Sequence, residues 1–209
     1  GLDVDLARGL ARAMRVQLDI KVLPFGDLLT ALEKGEIDLV MSNMSITPER
    51  SEKAYFAGPY MMTGKSILTR SSVLAQVEST GAINRADLKI AAIANSTSAT
   101  FAQENTPEAE LTTTATSDEA VALLIAGKVD AVLADMAVCK LAVLRNPESG
   151  LVTLKKPLTM EPVGIAIKAD DRQLQNLIDN FMDAFGKTGV LGQLRKKWFE
   201  NGDWVAALP

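Results

Sequence analysis

Histidine is absent from this 209-residue chain, and cysteine occurs once, at position 139. Without histidine there is no Ser-His-Asp triad and no Cys-His dyad, and zinc sites built from several His/Cys ligands are excluded. One cysteine forms no disulfide within the chain, so the redox compartment stays open. Cys139 lies in the apolar stretch 136–144 and reads as a small buried core residue. Basic runs are missing too. The net charge is −4, whereas nucleic-acid phosphates call for clustered Lys and Arg. No apolar run reaches the length of a membrane span. No secretory leader is readable, and Gly1 stands directly before a helical pattern, so a natural N-terminus is expected upstream. What remains is ordinary globular composition, 47% hydrophobic and 23% charged, enough for one large domain or two lobes.

The organising stretch is Ser42-Asn43-Met44-Ser45-Ile46-Thr47-Pro48-Glu49-Arg50. It follows residues 37–41, an apolar run that reads as a buried strand. It is dense in small hydroxyls, has a proline that stops regular structure, and ends in arginine. Backbone N–H groups and hydroxyls followed by a guanidinium suit an anion, above all a carboxylate gripped by two parallel hydrogen bonds.

Around this stretch the chain alternates. Asp3 reads as an N-cap, with Leu6, Leu10 and Met14 at helical spacing behind it, and Asp5 as a first-turn acid. Residues 18–22 alternate as a strand should. A short helix over 27–34 stops at Gly35, and strand 37–41 follows. Helix and strand in alternation predict a parallel α/β sheet, whose ligands bind beyond the carboxyl ends of strands. Residues 65–69 and 88–93 read as further strands, with 71–86 between them as surface helix or loop. Strand 88–93 delivers Asn95-Ser96-Thr97-Ser98 to a helix start near Ala99, a second place suited to an anion; simple N-capping would need the same residues.

The segment 32–44 then recurs, 92 positions later, at 124–136. Leu, Gly, Asp, Val and Met fall at matching places, and Asp135 follows the second strand. Two lobes of related α/β construction are expected. Residues 151–154 and 163–167 read as short strands. Helices close the chain over 171–185, with Leu174, Leu177, Ile178, Phe181 and Phe185 on one face, and over 190–199. Trp198 and Trp204 read as core anchors.

These motifs resemble the family 3 bacterial extracellular solute-binding proteins, the amino-acid-binding components of ABC importers. Gly1-Leu2-Asp3-Val4-Asp5-Leu6-Ala7 looks like the family's Gly-aromatic-Asp-Val-Asp-Leu signature, with Leu2 in the aromatic position. Ser45-Ile46-Thr47-Pro48-Glu49-Arg50, followed by Phe56 and Pro59-Tyr60, is the most specific match. Gly127-Lys128-Val129-Asp130-Ala131-Val132 with Asp135 is the second, and Val163-Gly164-Ile165-Ala166-Ile167 and Lys197-Trp198-Phe199 fit the closing segments.

The resemblance implies an α/β protein of type II periplasmic-binding-protein fold, with two lobes joined by two crossings and a ligand cleft between them. Residues 1–68 and 165–209 would form lobe 1, lacking its usual first strand because the family's N-terminal segment is missing, and 69–164 would form lobe 2. Arg50 would take an amino acid's α-carboxylate, helped by the backbone N–H groups of Ser45 and Thr97. Asp135 would take the α-ammonium, with the Ser45 hydroxyl and the Asn43 carbonyl. Phe25 would flank the ligand side chain, with Ser42, Ser96 and Ser98 nearby. The small polar positions favour a polar amino acid.

The expected setting is periplasmic or extracellular, with a signal peptide in the precursor and a lipoprotein form open. The expected partner is a membrane permease of an ABC importer. A monomer is expected unless a strand is exchanged between chains, and no cofactor, metal or nucleic acid is expected. Two other readings stay open. One is the sensing domain of a receptor or histidine kinase. The other, less favoured, is an enzyme resembling cyclohexadienyl or arogenate dehydratases, for which Glu161 is the candidate general acid; a solvated hinge residue would look the same.

Overall fold

Leu2, Leu6 and Leu10 put one apolar stripe along the first helix, and all three are buried. That helix, α1 (Leu2–Met14), opens a chain whose computed structural model describes residues 1–199. There follow α2 (Leu28–Glu33), β1 (Leu39–Val40), α3 (Pro48–Ser51), β2 (Ala54–Thr63), β3 (Lys65–Thr69), β4 (Lys89–Ile93), α4 (Thr97–Asn105) and β5 (Glu110–Thr114). Then come α5 (Ser117–Ile125), β6 (Ala131–Asp135), α6 (Met136–Arg145), β7 (Val152–Thr153), β8 (Glu161–Lys168), α7 (Arg172–Lys187) and α8 (Val190–Phe199).

The chain divides into two compact units. The first comprises Gly1–Leu23, Asp27–Met62 and the part from Glu161 onward. Its three-stranded sheet has the order β1-β8-β2, with β1 antiparallel to β8. Asp5 ties α1 to α8, accepting from Lys197 Nζ at 2.7 Å and from Trp198 Nε1 at 3.0 Å. Burial alone would raise the Asp5 pKa, but these two donors hold it below the usual carboxylate value.

The second unit comprises Pro24–Gly26 and Thr63–Met160. Its five-stranded sheet has the order β5-β4-β6-β3-β7. β4 is parallel to β5 on one side and to β6 on the other, while β3 is antiparallel to β6 and β7. The alternation along each strand splits the core onto two faces. Leu68, Ala91 and Val132 pack with Leu124 and Cys139 on one face. Ile67, Ile90 and Leu133 pack with Ala102 and Ile83 on the other. A sheet covered on both faces needs apolar runs rather than strict alternation, which is what β3, β4 and β6 supply.

Both copies of the repeated segment fold alike. Gly35 and Gly127 adopt left-handed φ values of 71° and 68°. At the end of α2, Glu36 N–H donates to Ala31 O at 2.9 Å; at the end of α5, Lys128 N–H donates to Leu123 O at 2.9 Å. These are the same helix-closing bonds at the same offset.

Several expectations need correction. Residues 18–22 form no strand among the described residues. Val22 is 92% exposed and Ile20 is exposed as well, because alternation makes a strand only where a neighbour offers a ladder. The strand at 37–41 shrinks to Leu39–Val40. The parallel sheet is mixed in the second unit, and in the first β1 runs antiparallel to β8. Asp3 is not the N-cap: Gly1 is, and Asp3 lies inside α1 with its carboxylate turned to other partners. Leu177 is exposed rather than buried on α7. Two strands, β2 and β5, are not apparent in the sequence. Trp204 lies outside the described residues.

Candidate functional site

In the first unit, the chain leaves β1 after Val40 and reaches Ser42 and Asn43, both half-buried. Asn43 turns the chain with φ 50°, a conformation asparagine tolerates. Its backbone N–H donates to Asp3 Oδ2 at 3.0 Å, and Tyr60 OH donates to Asp3 Oδ1 at 2.8 Å. Burial raises the Asp3 pKa against the pull of these two bonds. The turn is thus pinned to α1 by the Asp3 carboxylate, which is a tether rather than a cap.

Ser45, two residues on, is buried. It bridges to Val163 of β8, while Ile46 N–H donates to Pro162 O at 2.8 Å. Its hydroxyl donates to Glu161 Oε2 at 2.9 Å. Thr47 caps α3, accepting from Arg50 N–H at 3.3 Å, with Pro48 at the first helical position. The short helix swings the Arg50 guanidinium back over the loop, where Nη1 donates to Ser45 O at 2.8 Å. Ser45 and Arg50 are therefore brought together directly, with Glu161 on the serine's other side. Glu161 is half-buried and hydrogen-bonded, and it is the residue at which the chain re-enters the first unit after Met160. Its partner is 116 residues away in sequence, so no local signal marks the pair.

In the second unit the strand order reverses at β4: α4 leads to β5 on one side of it and α5 leads back to β6 on the other, both parallel to β4. Such a switch point is where open α/β sheets present ligand groups. The end of β4 runs into Asn95, with φ 58°, then Ser96. The Ser96 hydroxyl accepts from Ala99 N–H at 3.2 Å and donates to Ile93 O at 2.6 Å, so this serine acts as a helix cap. Ser98 is buried in the first turn of α4. Phe25 is half-buried, in the Pro24–Gly26 segment that groups with this unit. A Cβ on Gly26 would stand 2.7 Å from Asn95 Nδ2, so the segment lies against the end of β4.

Asp135 ends β6 and is the N-cap of α6, but it makes no side-chain capping bond. Instead its Oδ1 accepts from Lys65 Nζ at 2.6 Å. The same Nζ donates to Thr97 Oγ1 at 2.6 Å. Lys65 and Asp135 are directly opposite each other in the β3–β6 ladder. The structure thus brings Asp135 and Thr97 together through Lys65, a residue outside the expected site. The available signal was a lysine opening the strand Lys-Ser-Ile-Leu-Thr, every residue of which is buried. Among the described residues there is no cluster of His, Cys, Asp and Glu able to hold a metal ion, and no helix is long and apolar enough to cross a membrane.

The sequence model of the bacterial extracellular solute-binding proteins, family 3, matches residues 1–201. The chain belongs to this family. Among family 3 relatives, the ABC transporter glutamine-binding protein GlnH of Bacillus subtilis is 28% identical over 205 residues, covering 96% of this chain and 73% of the relative. Cyclohexadienyl dehydratase of Pseudomonas aeruginosa is 24% identical over 200 residues, covering 96% of this chain and 74% of the enzyme. The crystal structure of the ancestral amino acid-binding protein AncCDT-1, a precursor of cyclohexadienyl dehydratase, superposes with a TM-score of 0.86 at 33% identity. It covers 95% of this chain and 85% of that one. The fold is the α/β type II periplasmic-binding-protein fold, with mixed sheets in this member.

Proposed function

We propose that this family 3 protein binds a free amino acid in the periplasm or outside the cell and delivers it to the membrane permease of an ABC importer. The observation that carries the reading is Arg50, a half-buried guanidinium fixed over its own hydroxyl-rich loop by the Ser45 carbonyl. Such a group is preorganised for a carboxylate. In this reading Arg50 takes the α-carboxylate, and the backbone N–H groups of Ser45 and Thr97 assist. In the second unit Asp135 faces the α-ammonium beside Lys65, and Phe25 lines the side-chain pocket. The small hydroxyl residues Ser42, Ser96 and Ser98 favour a polar ligand. The glutamine-binding and ancestral amino acid-binding relatives support the reading.

Calorimetry on wild type and Arg50→Ala tests it. Leaving the ligand carboxylate without its partner costs about 3–5 kcal/mol, a loss of two orders of magnitude or more in affinity. Unchanged affinity in the variant refutes the assignment of Arg50.

A second reading draws on Glu161. This carboxyl is half-buried and meets a buried hydroxyl, the kind of environment that suits a general acid, and a dehydratase is among the relatives. Turnover of prephenate by the wild-type chain, lost in Glu161→Gln, would establish the enzyme over the binding protein.

A further inference from the structure

Lysine is almost never fully buried unless its charge is met. Lys65 is 1% exposed, and a carboxylate and a hydroxyl both meet it at 2.6 Å. Of those two acceptors, Asp135 ends β6, and Thr97 opens α4 just beyond the end of the neighbouring parallel strand β4. The backbone of Lys65 is held as well: its N–H donates to Thr159 Oγ1 at 2.9 Å, and its carbonyl accepts from Leu158 N–H at 2.7 Å. A side chain rooted in this way, opening a strand whose residues are all buried, has no ready path into water. The second unit therefore carries its own ammonium on the carboxylate that the amino-acid reading assigns to the ligand.

We infer that Lys65 is a specificity-determining residue: as the resident cation of Asp135 and Thr97, it removes most of the advantage of an α-ammonium, so the chain accepts carboxylates with or without an α-amino group. The inference rests on the amino-acid reading and narrows it. A carboxylate already neutralised attracts a second cation weakly, and that cation also meets Lys65 as a like charge.

The test is calorimetry on the full chain with paired probes. The amino acid that gives the largest thermal shift is compared with its des-amino analogue, hydrogen replacing the α-amino group. For glutamine the analogue is glutaramic acid. Wild type should favour the amino acid by less than about tenfold. Lys65→Met should raise that preference by roughly tenfold to a hundredfold, the worth of one charge-assisted hydrogen bond. A wild-type preference of a hundredfold or more overturns the inference while leaving the amino-acid reading intact, and this comparison stands even if the variant does not fold. A preference unmoved by Lys65→Met also overturns it. Binding of neither probe class overturns the amino-acid reading, and the inference falls with it.

Discussion

Replacing Asp135 by asparagine should destabilise the fold far more than replacing a surface acid in an ion pair of similar length. The side chains of Lys65 and Asp135 are 1% and 9% exposed, and the pair is 2.6 Å long. Removing one partner of such a pair leaves the other charge buried, at a cost of about 3–5 kcal/mol. Asparagine keeps the shape and one acceptor oxygen, so about 3 kcal/mol is expected. No capping hydrogen bond is lost, because the Asp135 side chain makes none; the lost favourable charge at the start of α6 adds about 0.3–1 kcal/mol. In a chain of this size each kcal/mol shifts Tm by about 2–4 °C, so thermal unfolding should fall by roughly 6–16 °C. The control is Asp183→Asn. That acid pairs with Lys187 at 2.8 Å, but the two side chains are 76% and 58% exposed, and the loss should be no more than about 0.5 kcal/mol. Lys65→Met should also destabilise, whereas the double variant should lose much less than the sum, since a buried pair replaced together leaves no stranded charge. A loss below about 1 kcal/mol in Asp135→Asn, or strictly additive losses, would refute the claim that burial couples these two charges.

Two further outcomes follow from close contacts and burial. A Cβ on Gly64 would stand 1.8 Å from the Thr159 carbonyl oxygen, a backbone atom that cannot swing aside. Gly64→Ala should therefore cost more than about 3 kcal/mol by overpacking, seen as a lowered urea midpoint, and a midpoint within error of wild type would show that the two segments part easily. Burial pushes the Cys139 thiol up to about 12. Native protein at pH 8 should resist a thiol reagent that labels the urea-unfolded chain at once. Because the folded value lies above the unfolded one, the stabilisation from this group is complete below about pH 8.5 and declines as pH rises towards 12. Rapid labelling of the native chain at pH 8 would contradict this.

What could be read in advance was local. The hydroxyl loop ending in Arg50 announces itself because capping, proline and guanidinium all act within nine residues. The glycine-closed helices α2 and α5 are legible for the same reason, and their closing bonds match atom for atom. What could not be read depends on a distant partner. β5 is polar, Glu-Leu-Thr-Thr-Thr, and exists because β4 offers it a parallel ladder. Residues 18–22 carry a better alternation and form no strand, because among the described residues no named strand pairs with them.

The same rule explains why the two repeated segments end in different chemistry. Leu39 pairs with Ile167 and Ala131 pairs with Thr69, so β1 and β6 meet their antiparallel neighbours at matching places. Asn43 and Asp135 then occupy corresponding positions, each just where a strand turns. In the first unit the turn is held by its backbone N–H on the Asp3 carboxylate, and a guanidinium comes later, as Arg50. In the second the side chain at the turn is itself the acid, and the opposing strand opens with Lys65. One local design, repeated 92 residues apart, thus presents a guanidinium in one unit and a neutralised carboxylate in the other. The difference lies partly in the segments, which carry Asn43 in one and Asp135 in the other, and partly in which strand is laid alongside, a property of the assembled sheet.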